Sequence, residues 1–287
     1  MSTVRYRARP GTVVTVDLRQ WAAALAAWQL PASISQAVRE SPWVLPGEVF
    51  ARRAERAIAQ PVGESYRLAL EALGDGGSVI DVGAGGGSAS LPLATRITSL
   101  TAVDSQQFML DDFAARATRL GLTPQLLHGT WPEVADRAPV ADVVLCHHVI
   151  YNVPDLAPFT DALTRHARRR VVVDLTERHP LTTLNRYWLH FHGLRRPDGP
   201  TADDAVEVLR SLGLPVRVTR WVRPHTAEYS SFDQLVDVTR RRLCLPPERA
   251  GEVAAALRAD GISTESPPDL GSSGRDVVTV WWDPPAG

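Results

Sequence analysis

Lysine is missing: every one of the 31 basic residues in this 287-residue chain is arginine. Alongside abundant alanine, that reads as GC-rich coding rather than as a set of functional choices. Cysteine is almost missing too. Cys146 and Cys244 stand far apart with no C-x-x-C spacing, which excludes a disulfide scaffold or zinc ribbon and suits a reducing compartment. No apolar run approaches the ~18 residues that a membrane span needs. The N-terminal MSTVRYRARPGTVVTVDL lacks the apolar stretch of a signal peptide. An excess of charge is lacking as well: the net value is −1, giving no broad pull toward nucleic acid or anionic membrane. These absences predict a soluble cytoplasmic protein. A hydrophobic share of 44% against 22% charged residues is enough for a large core, as one big α/β domain or a domain with additions.

The stretch Ser78–Asp104, SVIDVGAGGGSASLPLATRITSLTAVD, organises what is present. It reads as an apolar strand, a glycine turn, a short helix, a second apolar strand and a terminal carboxylate. Glycines let a backbone approach a bound nucleotide closely, and a helix opening there offers free N–H groups. Asp104, about twenty residues past Gly83, is placed to accept hydrogen bonds from a ribose. The stretch is therefore expected to bind a nucleoside-bearing small molecule.

Before it, Leu18, Trp21, Leu25 and Trp28 recur at helical spacing up to Pro31. Further helices are expected after Pro46 and over Tyr66–Leu73. Residues 1–75 thus form a helical layer, with Trp21, Trp28 and Trp43 suited either to packing or to a lid. Residues 76–287 alternate strands and helices, as a parallel sheet requires. Strands are expected at Pro124–His128, Ala141–Cys146, Val171–Leu175, Val216–Val222 and Val277–Asp283. Residues 177–200 and 223–270 interrupt the alternation; the first holds three histidines and four arginines and is too aromatic for disorder. Arg168–Arg170 are expected at a helix C-terminus, where the dipole favours cations, and Arg240–Arg242 on a helix face. The fold class expected is α/β: a Rossmann-like, mostly parallel seven-stranded sheet with helices on both faces, an N-terminal helical layer and helical insertions near the C-terminus.

A dinucleotide fingerprint needs G-x-G-x-x-G, but counting from Gly83 puts Ser88 in the last place. The chain has D-x-G-x-G-x-G instead, on Asp81, Gly83, Gly85 and Gly87. With Asp104 and the strands that follow, it resembles the class I S-adenosylmethionine-dependent methyltransferases, well over residues 76–176 and in element order beyond. That resemblance implies S-adenosyl-L-methionine as cofactor, held by Asp81, Gly83, Ala84, Gly85, Gly87, Asp104, Ser105, Thr130, Trp131 and His147. Thr130 stands where the family often has an acid for the adenine amino group; Trp131 either stacks on adenine or packs under the sheet. CHHVIYNVPDL is similar to the xHHVLHHV runs of small-molecule methyltransferases and places His147 and His148 near the sulfonium.

Methyl transfer needs a general base only for a hydroxyl or protonated-amine acceptor, and histidine is the natural one. His147, His148 and then His179 are the candidates. His190 and His192 could chelate, but no third ligand has suitable spacing, so no metal is expected. Arg178, Arg186, Arg195 and Arg196 could clamp an anion. Cys146 follows Leu145 rather than the proline of the RNA 5-methylcytosine enzymes, and no N-P-P-Y or D-P-P-Y run follows the fourth strand, which disfavours nucleic acid. The expected function is methyl transfer to a small-molecule oxygen or nitrogen, with residues 1–75 and 177–200 roofing the acceptor. An RNA or protein methyltransferase and a non-catalytic cofactor-binding subunit are the alternatives. Two histidines and an arginine around the methyl position would point to an acidic hydroxyl or phenol.

Overall fold

The computed structural model describes residues 5–7, 13–15, 18–35, 42, 45–268, 270 and 275–285; Trp43 lies outside them. Its centre is a sheet of seven strands: β1 (Gly77–Val82), β2 (Ile97–Asp104), β3 (Gln125–His128), β4 (Ala141–His147), β5 (Ala167–Thr176), β6 (Arg217–Val222) and β7 (Asp276–Trp282). Their order is β3-β2-β1-β4-β5-β7-β6. Only β7 runs against the others, wedged between β5 and β6. A separate ladder pairs Arg5–Arg7 with Val13–Thr15. The sheet is the expected one, and its central strands are buried on both faces, as their unbroken Val, Ile and Leu demand.

Helices cover both faces. On one lie α1 (Leu18–Ala26), α5 (Leu156–Arg165) and α7 (Ala202–Ser211), whose Trp21, Phe159 and Val206 join β4 and β5 residues in one core cluster. On the other lie α3 (Glu64–Leu73) and α4 (Gln107–Arg119), contributing Leu68 and Phe113. A satellite core forms where α2 (Gly47–Ala59), α6 (Asn185–His192), α8 (Phe232–Arg242) and α9 (Ala250–Ala259) meet around Val49, Trp188, Leu235 and Leu257.

Two expectations fail here. The first crossover holds no α-helix: after the glycine turn the chain makes only a 3₁₀ stretch, Leu91–Arg96, with Pro92 near its start. Only a few residues separate the turn from β2, too few for a stable α-helix. The free N–H groups at the turn are therefore those of the loop itself. Arg168–Arg170 lie not at a helix end but in β5, since α5 stops at Arg165. Arg170 is buried there. Its guanidinium donates to Asp283 Oδ1 (2.8 Å) and Glu71 Oε1 (3.2 Å) and covers the Trp281 ring at 4.3 Å, tying α3 to the sheet. No helix of the described residues is long and apolar enough to cross a membrane.

Candidate functional site

β1 pairs with β2 on one side and β4 on the other, so chain direction through the sheet order reverses there. Ligand crevices in open α/β sheets lie outside the strand C-termini at such a point. A cavity of about 1020 Å³ occupies this place.

Its floor is the glycine turn. Gly83 has φ +72°, and a Cβ there would meet the Val149 side chain at 2.3 Å, so any other residue would be both strained and crowded. A Cβ on Gly86 would lie 2.7 Å from the Phe50 carbonyl oxygen; only glycine lets α2 settle onto the loop. Asp104, at the tip of β2, accepts from the Gly85 N–H at 2.8 Å through Oδ2 and from the Gln106 N–H at 2.9 Å through Oδ1. Its carboxylate thereby fixes the loop and still borders the cavity.

The sequence candidates divide. Gly83, Ala84, Gly85, Asp104, Ser105, Thr130, Trp131, His147 and His148 all line the cavity; Asp81, Gly87 and His179 do not. Asp81 lies beneath the turn, fully buried. Its Oδ2 accepts from Ser90 Oγ at 2.6 Å, while Oδ1 has no partner among the described residues. Burial pushes its carboxyl up to about 7, against the pull of the Ser90 hydrogen bonds. Gly87 packs on Leu91 and Phe113. His179 is turned away: its ring stacks on Trp28 at 4.0 Å, and Nδ1 accepts from the Leu181 N–H at 3.3 Å. Burial, with Arg196 and Arg275 nearby, pushes it down to about 4. No residue of 177–200 borders the cavity, which corrects the expectation that this segment roofs it. Arg196 instead donates to the Trp28 and Gln29 carbonyls at the end of α1.

The two histidines that border the cavity separate in character. His148 holds φ +59°, uncommon for a residue with a side chain. Arg223 Nη2 donates to its Nε2 at 2.7 Å. An arginine can only donate, so Nε2 is an acceptor and the imidazole is neutral with its proton on Nδ1. His147 Nε2 is buried with no partner among the described residues. Burial holds His147 below the usual histidine range; Asp174 pulls it up and Arg223 pushes it further down.

Trp131 is buried, its indole donating to the Phe159 carbonyl at 3.3 Å and its ring edge-on to His166. One face of the slot thus remains for it to border. Thr130 donates to Glu133 at the rim. Cys146 is buried in β4, where desolvation drives its thiol up, away from a nucleophilic thiolate. No metal-binding cluster occurs among the described residues.

Sequence reading missed the residues that α2, the end of β6 and the segment after it bring in: Phe50, Arg53, Arg56, Trp221, Arg223 and Glu228 all border the cavity. Glu228, 4% exposed in its side chain, accepts from Arg53 Nε (3.0 Å) and Arg56 Nη1 (3.1 Å). Arg56 also donates to the Ala227 carbonyl at 2.5 Å and to Thr226 at 2.9 Å. The Arg53/Arg56 spacing on one helix face was a signal; the partner, some 170 residues on, was not readable.

Residues 79–170 match the family model described as a methyltransferase domain. An uncharacterized protein of Haemophilus influenzae is 31% identical over 132 residues, 45% of this chain and 48% of that one. The ubiquinone biosynthesis O-methyltransferase of Rickettsia conorii is 33% identical over 90 residues, 31% of each chain. The match thus spans about half, or less, of the length of these curated relatives. Among solved structures, the YcgJ protein of Bacillus subtilis superposes with a TM-score of 0.50 at 16% identity, over 78% of this chain and 99% of that one. A Bacillus halodurans protein gives 0.52 at 14%, with the same shares. Both likenesses concern the fold. Residues 79–170 thus resemble a methyltransferase domain, carried on a Rossmann-like fold.

Proposed function

We propose that this protein transfers a methyl group from S-adenosylmethionine to the hydroxyl oxygen of a small molecule. The residues suit that cofactor. The glycine turn gives close backbone approach, Asp104 offers a carboxylate at the ribose position, and Met109, Trp131 and Phe159 furnish an apolar slot beside Thr130. The unpartnered Asp81 Oδ1 lies beneath the turn, outside the cavity lining, and is the kind of buried polar atom that a water satisfies. When bound, the cofactor supplies an already activated methyl group. The chain's own work is then to hold two partners in line and keep water out, with Phe50, Tyr66 and Trp221 closing the cavity over the strand tips.

The observation that carries the hydroxyl reading is the meeting of His147, His148 and Arg223 at one end of the cavity. Arg223 favours an anionic or acidic acceptor, and burial holds His147 below the usual histidine range with its Nε2 left without a partner among the described residues. The Rickettsia relative, an O-methyltransferase by its name, is in keeping with an oxygen acceptor. Lining by 47–66 and 221–228 makes those two segments the proposed roof. Calorimetry with S-adenosylmethionine and its demethylated product tests the cofactor. Methyl-labelled donor with a panel of carboxylated phenols tests the acceptor. Labelled ether is expected; labelled amine from an amine panel, with no ether, would overturn the oxygen assignment.

A further inference from the structure

Asp174 takes part in no ion pair among the described residues, yet it is a carboxylate only 1% exposed at the C-terminal end of β5. Its Oδ1 accepts from Thr279 Oγ1 at 2.5 Å and its Oδ2 from Ser65 Oγ at 3.2 Å. Among the described residues no arginine stands within ion-pair distance of it. A buried carboxylate served by hydroxyls alone is costly, and such a cost is kept where a positive charge arrives during function. Asp174 is also the direct cross-strand partner of His147 in the β4–β5 ladder, and both border the cavity. Neighbouring strands lie ~4.8 Å apart, so two side chains on the same face of a parallel pair are close neighbours.

Two positive charges could meet Asp174: the donor's sulfonium or an imidazolium on His147. The sulfonium loses its charge as the methyl leaves, so a carboxylate aimed at it would favour the ground state over the transition state and slow the step. The imidazolium gains its charge in that same step. We infer that Asp174 is a positioning residue for His147, and that the pair takes up the proton of a hydroxyl acceptor. This rests on the oxygen-acceptor reading above. The balance is simple. As the acceptor oxygen bonds to the methyl carbon and the sulfur–methyl pair stays with sulfur, the hydroxyl proton passes to His147 Nε2 and later leaves to solvent. The Asp174 carboxylate steadies the imidazolium, held in place by Thr279 from β7 and Ser65 from α3. The other groups acting on or facing His147 are Arg223, which opposes the charge, and His148, whose ring centroid lies 6.5 Å from its own.

The test needs no substrate. In the full chain labelled with ¹⁵N-histidine, long-range ¹H–¹⁵N spectra from pH 4 to 9 read each imidazole, and His147→Asn identifies its signal. Asp174→Asn keeps the hydroxyl partners and removes the charge; it should lower the proton affinity of His147 about tenfold, one pH unit in midpoint. A midpoint moved by less than about 0.3 unit would overturn the inference. Wild-type protein gives a second reading that holds even if the variant does not fold. The Asp174 ¹³Cγ signal should shift at the His147 midpoint and lose that inflection in His147→Asn; an inflection that persists there counts against the pair. Calorimetry with S-adenosylmethionine on the same samples keeps the questions apart. Coupled titration without cofactor binding would sink the methyltransferase reading and leave the pair standing, and binding without coupling would do the reverse.

Discussion

Residues 47–66 and 177–200 are alike on paper: each adds helix, aromatics and several arginines to a Rossmann-like core. Only the first faces the cavity. Helix α2 is clamped at both sides of the crevice, by the glycine loop at Gly86 and by Glu228 beyond β6. The segment 177–200 is clamped elsewhere. Glu177 donates its N–H to Asp276 on β7 and Arg178 bridges Thr201, which leads the chain off the sheet to the end of α1, where Trp28 donates to the Gly199 carbonyl at 2.7 Å. What an insertion covers is decided by where its ends are held, not by what it is made of.

The largest test of that contrast is Trp28→Ala. Removing a buried ring between His179 and Arg196 should cost about 3–5 kcal/mol in urea unfolding, with S-adenosylmethionine affinity in calorimetry unchanged. A matching loss of affinity would mean that the brace also shapes the cavity. His179 gives the next effect. Its folded value of about 4 lies below its ordinary 6.5, so the unfolded chain binds the proton first. This histidine's share of stability is whole above pH 6.5 and falls by about 3 kcal/mol as pH drops to 4. His179→Gln should flatten that part of a stability–pH curve; an unchanged slope would refute the burial argument.

On the cavity side the signs reverse. Asp104→Ala removes a charged acceptor from the Gly85 and Gln106 N–H groups, and cofactor Kd should rise about 10- to 100-fold while Tm changes little. Smallest is Glu228→Gln, about 1–2 kcal/mol, because Arg53 and Arg56 keep partial solvent access. Stopped-flow release of the demethylated cofactor should quicken as α2 loosens. Equal release rates would show that Gly86 packing alone holds the helix.

Local signals were legible from the residues. The glycine turn, Asp104, the apolar strands and Trp21 at helical spacing each lie within one or two adjoining elements, where period and spacing carry the information. Ser105, Thr130 and His147 came with them because strand tips share one edge. The arginines in β5 were misread because three charges look solvated until Glu71, Trp281 and Asp283 are known to surround the innermost. Arg223 on His148, and Asp174 beside His147, depend on sheet order. A strand inserted antiparallel near the chain's end does not announce where it seats β6, whose end brings Trp221 and Arg223 to the cavity.

The seat of α2 on Gly86 also bears on how the chain assembles. The helix precedes that loop by about thirty residues, and Glu228 follows it by about 170. During synthesis α2 therefore emerges well before either of its anchors exists. Its inner face then waits first for a floor and, much later, for a carboxylate between its arginines. Such a distant contact is among the last to form on the way to the native state. The cavity is accordingly a late product of folding, completed when the last quarter of the chain closes onto the first.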